Sequence, residues 1–117
     1  VEAVSAYNIG KSFHPRGNNW IGVVITIDSQ RIYYAGDTDL IDEMSSLKDI
    51  TLALLPVGGT YTLNAAEAAQ ACRKIKPQTV VPYHWGDIVG SATDAQRFVE
   101  LVACEGRIVQ PGESITI

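Results

Sequence analysis

The sequence predicts an α/β fold in which the helices pack on one face of a mixed β-sheet. Apolar, β-branched runs of strand length alternate with segments of helical periodicity and with turns rich in Gly, Pro and Asn. The predicted order is three strands, a helix, then strand, helix, strand, helix and two closing strands. A chain of 117 residues with 46% hydrophobic residues can form one core, so we expect a single domain over residues 1–117.

The amino-terminal part of the chain predicts three strands and a short helix. The strands cover residues 1–7, 20–28 and 31–35, and the last two form a hairpin. A loop rich in Gly, Asn and Pro occupies residues 8–19 between the first two strands. The short helix follows residue 39. Its apolar face consists of Leu40, Met44 and Leu47.

A strand and a capped helix come next. Residues 51–57 form a mostly apolar strand, suited to burial on both faces, and Gly58-Gly59 breaks it. The helix begins at Asn64, which with Glu67 has the spacing of a capping box, and Lys76-Pro77 ends it. Its buried stripe consists of Ala65, Ala68, Ala69, Cys72 and Ile75.

The carboxyl-terminal part predicts a strand, a helix and a closing pair of strands. Residues 79–83 form the strand, and a second capping box at Thr93 and Gln96 begins a helix that Gly106 ends. The apolar positions of this helix are Ala95, Phe98, Val99 and Val102. The closing strands cover residues 107–110 and 114–117.

Composition excludes several classes of protein. A net charge of −4 without a basic stretch argues against a nucleic-acid partner. No apolar run approaches the roughly 18 residues of a membrane span. Cys72 and Cys104 fall at apolar positions of predicted helices, so we expect two buried free thiols and a reducing, cytoplasmic setting. The chain begins without Met, inside a predicted strand, which suggests a processed or truncated piece.

Two strand ends carry residues that can bind a metal. Asp37 follows the third strand directly after Gly36, and its two carboxylate oxygens could each bind one cation. The alternative role is structural, because Asp37, Thr38 or Asp39 could cap the short helix. Both roles can also hold, with Asp39 as the cap and Asp37 as the metal ligand. His84 follows the strand over 79–83, where a neutral imidazole would be a good zinc ligand, although a lone His there is more often structural.

The remaining candidates lie in loops. His14 is in the loop over residues 8–19, where a histidine is usually solvated. Gly58, Gly59, Thr60 and Tyr61 join a buried strand to a capped helix, a position where main-chain N–H groups can approach an anion or a substrate. The alternative for these glycines is a tight turn. The Lys-Ser/Thr ending of a P-loop and the context of a nucleophilic serine are both absent.

Four ordered blocks of sequence resemble the carboxyl-terminal half of the metallo-β-lactamase superfamily, and together they span nearly the whole chain. The blocks are Tyr33-Tyr34-Ala35-Gly36-Asp37-Thr38-Asp39, Leu54-Leu55-Pro56-Val57-Gly58-Gly59-Thr60-Tyr61-Thr62, Ala65-Ala66-Glu67-Ala68-Ala69, and Lys76-Pro77 to Pro82-Tyr83-His84. The pattern is most similar to the branch of small metal-dependent hydrolases that includes ascorbate-6-phosphate lactonase-like proteins. The resemblance implies one half of an αβ/βα four-layer sandwich, with the site between the two halves.

The resemblance also implies roles for individual residues in a hydrolase that uses zinc or another divalent metal. Asp37 corresponds to the ligand that bridges two ions, and His84 to the last histidine ligand; both are expected to carry catalysis. The family's earlier histidine is replaced here by Asn8. His14 is the preferred substitute, because imidazole is the better donor. The loop over residues 58–61 is expected to bind a small-molecule substrate.

One departure from the family limits what this chain can do. The family's His-x-His-x-Asp-His motif is absent, since it belongs to the amino-terminal half. We therefore expect the chain alone to hold metal weakly and to be inactive. Leu52-Ala53-Leu54-Leu55 is apolar on both sides, so a missing amino-terminal half or a second copy of the chain should cover the open sheet face. The alternative function is a non-catalytic assembly module.

Overall fold

A computed structural model describes residues 1–117 as a six-stranded sheet with two α-helices and two short 3₁₀ helices. The strands are β1 (Glu2–Ser5), β2 (Ile21–Ile27), β3 (Gln30–Tyr34), β4 (Leu52–Pro56), β5 (Thr79–Tyr83) and β6 (Glu105–Gly106). The α-helices are α1 (Ala65–Ile75) and α2 (Ala92–Leu101), and the 3₁₀ helices are Arg16–Asn18 and Asp42–Ser46. The mixed α/β architecture predicted from the sequence is confirmed.

The strands lie in the sheet in the order in which they occur along the chain. β1, β2 and β3 pair antiparallel, whereas β3 to β6 pair parallel. The register places Tyr34 beside Leu54 and Pro56 beside Tyr83. The carboxyl ends of β3, β4 and β5 therefore meet at one edge of the sheet, and the loops that follow them are neighbours.

The core lies between one face of the sheet and the helices. Alternate residues of the strands point into it, including Val24, Tyr33 and Leu55. From the helices, Met44 and Phe98 are fully buried against these strands. The predicted stripe of α1 is buried at every position: Ala65, Ala68, Ala69, Cys72 and Ile75.

The opposite face of the sheet is apolar and only partly covered. Val23 and Ile25 are half-buried, although they belong to the same strand as fully buried Val24. Ile21 and Ile27 are 55% and 57% exposed. The alternation of side chains along a strand places these residues on the face away from the helices. No helix of the structure has the combination of length and apolar character that crossing a membrane requires.

The capping box of α1 is confirmed, whereas that of α2 lies two residues earlier than predicted. The amide of Glu67 donates to the Asn64 side chain at 2.9 Å, and the Asn64 amide donates to the Glu67 carboxylate at 3.0 Å. In α2 the same reciprocal pair is made by Ser91 and Asp94. The prediction of Thr93 and Gln96 was wrong. Both pairs have the spacing of a capping box, but Ser91 is the residue that directly precedes α2, whereas Thr93 lies inside the helix.

Three further predictions were wrong in detail. The short helix after β3 is the 3₁₀ helix Asp42–Ser46, and its N-cap, Ile41, has no side-chain hydrogen bond. Cys104 lies beyond α2 and is only half-buried, while Cys72 is buried on α1; both thiols are free. Gly106 belongs to β6 and does not end a helix.

The two predicted closing strands, over residues 107–110 and 114–117, do not form. Pairing with β5 continues beyond β6 only through the amide of Arg107, which donates to the Val80 carbonyl at 2.9 Å. The chain then turns, and the amide of Glu113 donates to the Gln110 carbonyl at 3.0 Å. This local turn takes the place of the hydrogen bonds to a neighbouring strand that a closing strand would need.

The corrected cap of α2 can be tested by paired substitutions. We expect Ser91→Ala to lower the free energy of unfolding by about 1 kcal/mol, because the amide of Asp94 loses its side-chain acceptor. Thr93→Ala lies inside the helix and should leave stability unchanged or raise it slightly. Urea unfolding followed by circular dichroism measures both. A larger loss for Thr93→Ala than for Ser91→Ala would contradict the assignment.

Candidate metal centre

Four loops meet at the edge where β3, β4 and β5 end. Thr38, in the loop after β3, joins two of the others. Its hydroxyl donates to the Tyr7 carbonyl at 3.1 Å, and its own carbonyl accepts from the amide of Leu63 at 2.9 Å. Thr38 is fully buried. The loop before β2, the loop after β3 and the loop after β4 are therefore held together by hydrogen bonds of the Thr38 hydroxyl and carbonyl.

The structure brings His14 and Asp37 together. The Nε2 atom of His14 lies 3.4 Å from the Oδ2 atom of Asp37. The His14 side chain is 15% exposed, and that of Asp37 is 41% exposed. The His14 ring also packs against Trp20, with ring centroids 4.9 Å apart. An imidazole held by packing thus faces a carboxylate that solvent or a ligand can reach.

The other nitrogen of the His14 ring, Nδ1, lies within hydrogen-bond distance of two groups on the side away from Asp37. Nδ1 lies 3.2 Å from the Tyr61 carbonyl oxygen and 3.2 Å from the Asn8 side-chain nitrogen. The Asn8 amino group is identified by its donation to the same Tyr61 carbonyl at 2.6 Å, which an oxygen could not make. Two tautomers of the ring are compatible with these neighbours. If Nδ1 accepts from the Asn8 amino group, Nε2–H can donate to Asp37. If Nδ1–H donates to the Tyr61 carbonyl, the Nε2 lone pair faces Asp37, and a cation between the two acceptors would satisfy both.

His84 stands at the end of β5 in an unusual backbone conformation. Its φ is 62°, in the left-handed region that is uncommon for residues other than Gly. Its Nδ1 atom is buried and has no hydrogen-bond partner. A Cβ atom at Gly58 would lie 2.6 Å from the His84 carbonyl oxygen and 3.0 Å from Nδ1. Glycine at position 58 is therefore needed for His84 to approach the end of β4.

A hydrogen bond joins the strand that carries His84 to the loop that carries Asp37. The Tyr83 hydroxyl donates to the Gly36 carbonyl, so the residues that precede the two candidate ligands are in direct contact. Burial raises the pKa of Tyr83 above its ordinary value, which keeps the hydroxyl protonated as a donor. Gly36 has a φ of 73°, and a Cβ there would lie 2.9 Å from the Ile21 carbonyl oxygen.

These residues are candidate metal ligands, and they form an incomplete set. Asp37 and His14 are in contact, and His84 lies at the same sheet edge, two strands away in the sheet order. The chain contains no group of three His, Cys, Asp or Glu side chains placed to hold one ion. Three protein ligands are the norm for a catalytic zinc. The structure therefore brings together fewer candidate ligands than a catalytic zinc site has.

The loop over residues 58–61 closes on itself. The amide of Gly59 donates to the Leu63 carbonyl at 3.0 Å, and Gly58 forms an isolated bridge with Asn64. Thr60 is exposed, whereas Tyr61 is half-buried with its ring edge-on to Phe13 at 4.6 Å. The amide of Gly59 is thus used within the turn, and Thr60 and Tyr61 are the members of the loop whose side chains reach its surface.

Asp39 has a function that the sequence did not predict. Asp37, Thr38 and Asp39 were the candidates to cap the short helix, but that helix has no side-chain cap. The Asp39 carboxylate instead accepts from the amide of Ile9 at 2.8 Å and forms an ion pair with Lys11. The roles of Asn8 and of the Tyr61 carbonyl behind His14 were also missed. The only signal was a lysine in an otherwise uncharged stretch of loop before Arg16.

Comparison with known proteins agrees with this architecture. Residues 1–85 match the family described as the β-lactamase superfamily domain. A UPF0173 metal-dependent hydrolase of Bacillus cytotoxicus is 41% identical over 100 residues, covering 82% of this chain and 44% of the relative. One from Symbiobacterium thermophilum is 37% identical over 115 residues, covering 90% of this chain and 51% of the relative.

A solved structure, named for a metal-dependent hydrolase of Parabacteroides distasonis, superimposes with a TM-score of 0.81 at 39% identity. It covers 92% of this chain and 49% of that chain. The chain therefore belongs to the metallo-β-lactamase superfamily, as its sequence predicted. Among its relatives it is similar to the UPF0173 metal-dependent hydrolases, and it spans about half the length of those it matches. The likeness to the lactonase branch stays a prediction.

The close approach of β4 to His84 can be tested with two glycine substitutions. We expect Gly58→Ala to lower the free energy of unfolding by about 1–3 kcal/mol, because its Cβ would collide with the His84 backbone. Gly17→Ala is the control, since a Cβ there meets nothing within 4 Å. Urea unfolding gives the stabilities, and the imidazole NMR signals report His84. Equal stability of the two variants with unmoved His84 signals would contradict the packing.

Proposed function

We propose that this chain is part of a metal-dependent hydrolase and supplies Asp37, His14 and His84 to its divalent-metal site, with zinc as the expected metal. The observation that carries the proposal is the 3.4 Å approach of His14 Nε2 to Asp37 Oδ2, at the edge where β5 delivers His84. The relatives' names support the same class of activity.

The residues present fit a divalent metal in their chemistry. One carboxylate and two imidazoles are the donors that zinc takes in proteins. His14 and His84 both have left-handed backbones, with φ values of 51° and 62°. This conformation is uncommon for residues other than Gly, although His adopts it more often than most. The buried Nδ1 of His84 has no hydrogen-bond partner among the protein atoms, which is uncommon for a buried polar atom.

The chain's own residues would hold and orient the reacting groups. A divalent metal held there would supply Lewis acidity toward a scissile carbonyl or phosphoryl group and would lower the pKa of a water molecule. Asp37 is exposed enough to bind a cation, and His14 is kept in place by the Tyr61 carbonyl and Trp20. Thr60 and Tyr61 would offer hydroxyl groups to a small-molecule substrate beside them.

The other half of the fold is the partner that we infer. The chain matches about half the length of its relatives, and the half it lacks would carry the His-x-His-x-Asp-His ligands. The apolar sheet face that includes Ile21 and Ile27 is exposed here, and packing of that half would bury it. A second copy of this chain is the alternative cover. The chain alone is then expected to hold zinc weakly and to be inactive.

A complementation experiment tests the proposal. The chain, alone or mixed with the half of the Parabacteroides distasonis relative that it does not match, is dialysed against metal-free buffer. Zinc content and hydrolysis of a lactone, a thioester, a phosphodiester and a β-lactam are then measured. We expect zinc retention and hydrolysis only in the mixture, and Asp37→Asn should lower hydrolysis strongly, because a neutral amide replaces the anionic carboxylate of a proposed metal ligand.

Asp28→Asn is the matched control, because Asp28 lies in the turn between β2 and β3 with a left-handed φ of 47° that Asn tolerates. It should retain both zinc and activity. A tightly bound stoichiometric pair of zinc ions on the chain alone would contradict the expected weakness. Equal activity of Asp37→Asn and wild type in the mixture would contradict the metal-ligand role of Asp37.

The second candidate function is a non-catalytic assembly module derived from the same fold. The observation that favours it is the lack of any three-ligand group within the chain, together with the exposed apolar sheet face. Association of the two halves in analytical ultracentrifugation, without hydrolysis of any substrate class, would favour the module over the hydrolase.

A further inference from the structure

A buried carboxylate lies behind the candidate metal site. The Asp39 side chain is 8% exposed, and both of its oxygens are used. Oδ2 accepts from the amide of Ile9 at 2.8 Å, and Oδ1 forms an ion pair with the Lys11 ammonium. The amide of Asp39 itself donates to the Tyr7 carbonyl at 2.9 Å. Asp39 is therefore bonded three times to the segment that leads to His14.

Lys11 extends this contact to a third loop. Its ammonium also donates to the Thr62 carbonyl at 3.0 Å, and its side chain is 27% exposed. One ion pair thus joins the loop that carries His14, the loop that carries Asp37 and the loop whose Tyr61 carbonyl holds His14 Nδ1. These are the three segments whose relative position determines the distance between His14 and Asp37.

The ion pair between Lys11 and Asp39 has no other evident structural role in the fold. The 3₁₀ helix Asp42–Ser46 is not capped by Asp39, and neither Lys11 nor Asp39 belongs to the hydrophobic core. Burying a carboxylate is costly unless it is paired and hydrogen-bonded. The loop over residues 8–19 is closed at its base, where the amide of Asn8 donates to the His14 carbonyl at 2.8 Å. Residues 9–13, between these two, make no hydrogen bond from main chain to main chain, so side-chain bonds must fix their path.

We propose that Lys11 and Asp39 are positioning residues that hold His14 against Asp37, an inference that rests on the proposed metal site. Neither residue binds the metal. Their ion pair fixes the path of residues 9–13, and His14 follows directly. Partners that orient a metal-binding histidine affect metal affinity about 10–100-fold. Breaking the ion pair should therefore weaken zinc binding at His14 while leaving His84 in place.

The two histidines of the chain provide an internal reference for the test. Long-range ¹H–¹⁵N spectra of the ¹⁵N-labelled, metal-free chain show both imidazoles separately. We expect Lys11→Met and Asp39→Asn to shift the His14 signals and abolish the nuclear Overhauser effect between His14 and Trp20, whose ring centroids are 4.9 Å apart. The His84 signals should not move. The zinc concentration at half-shift of His14 should rise about tenfold or more.

Two further variants serve as controls. Lys11→Arg keeps the positive charge and should restore most of the wild-type His14 signals. Arg31→Met breaks the exposed pair between Arg31 and Glu2, in which the two hydrogen bonds measure 3.0 and 3.3 Å, and should leave His14 unchanged. Lys11→Met decides the outcome if Asp39→Asn does not fold, because Lys11 lies in a loop and is partly exposed.

The proposal is overturned if the His14 signals and zinc response of Lys11→Met equal those of wild type. It is equally overturned if the His14 and His84 signals move together, because the ion pair would then support the fold as a whole. If zinc moves neither histidine of the wild-type chain mixed with its complementary half, the proposed function fails. The metal-free spectra would still decide whether the ion pair positions His14.

Discussion

The parallel pairing of β3, β4 and β5 is the constraint on which the candidate site depends. Adjacent strands of a sheet lie about 4.8 Å apart, so three parallel strands in sequence order deliver their following loops side by side. Asp37 and His84 are 47 positions apart in the sequence but emerge at the same edge. Gly36 and Gly58 permit the close backbone contacts that bring these loops together.

The site is built from residues that support one another across the loops. His14 faces Asp37 because Tyr61 and Trp20 hold its ring, and the Lys11–Asp39 ion pair fixes the segment before it. Asp37 and the two histidines are the donors that we propose for a metal. The other polar groups named here set where those donors point, and the chain has no group of three such side chains placed to hold one ion.

Sequence patterns correctly predicted the features that depend on residues close together in the chain. They failed for the features that depend on contacts between distant residues. The capping box of α1 and the strand at residues 79–83 were correct, since both follow from local spacing. The closing strands failed because a strand needs a partner, and β5 pairs with β6 only at two positions. The contact of His14 with Asp37 and the ion pair of Lys11 with Asp39 span 23 and 28 positions, and no local pattern encodes such distances.

The exposed apolar face of the sheet affects how the isolated chain behaves in solution. At neutral pH the net charge of −4 gives neighbouring molecules a mutual repulsion that opposes stacking of these faces. That repulsion vanishes near the isoelectric point of about 5.0, and added salt screens it at any pH. Preparations of the chain by itself should therefore remain dispersed in alkaline, dilute buffers and precipitate on mild acidification.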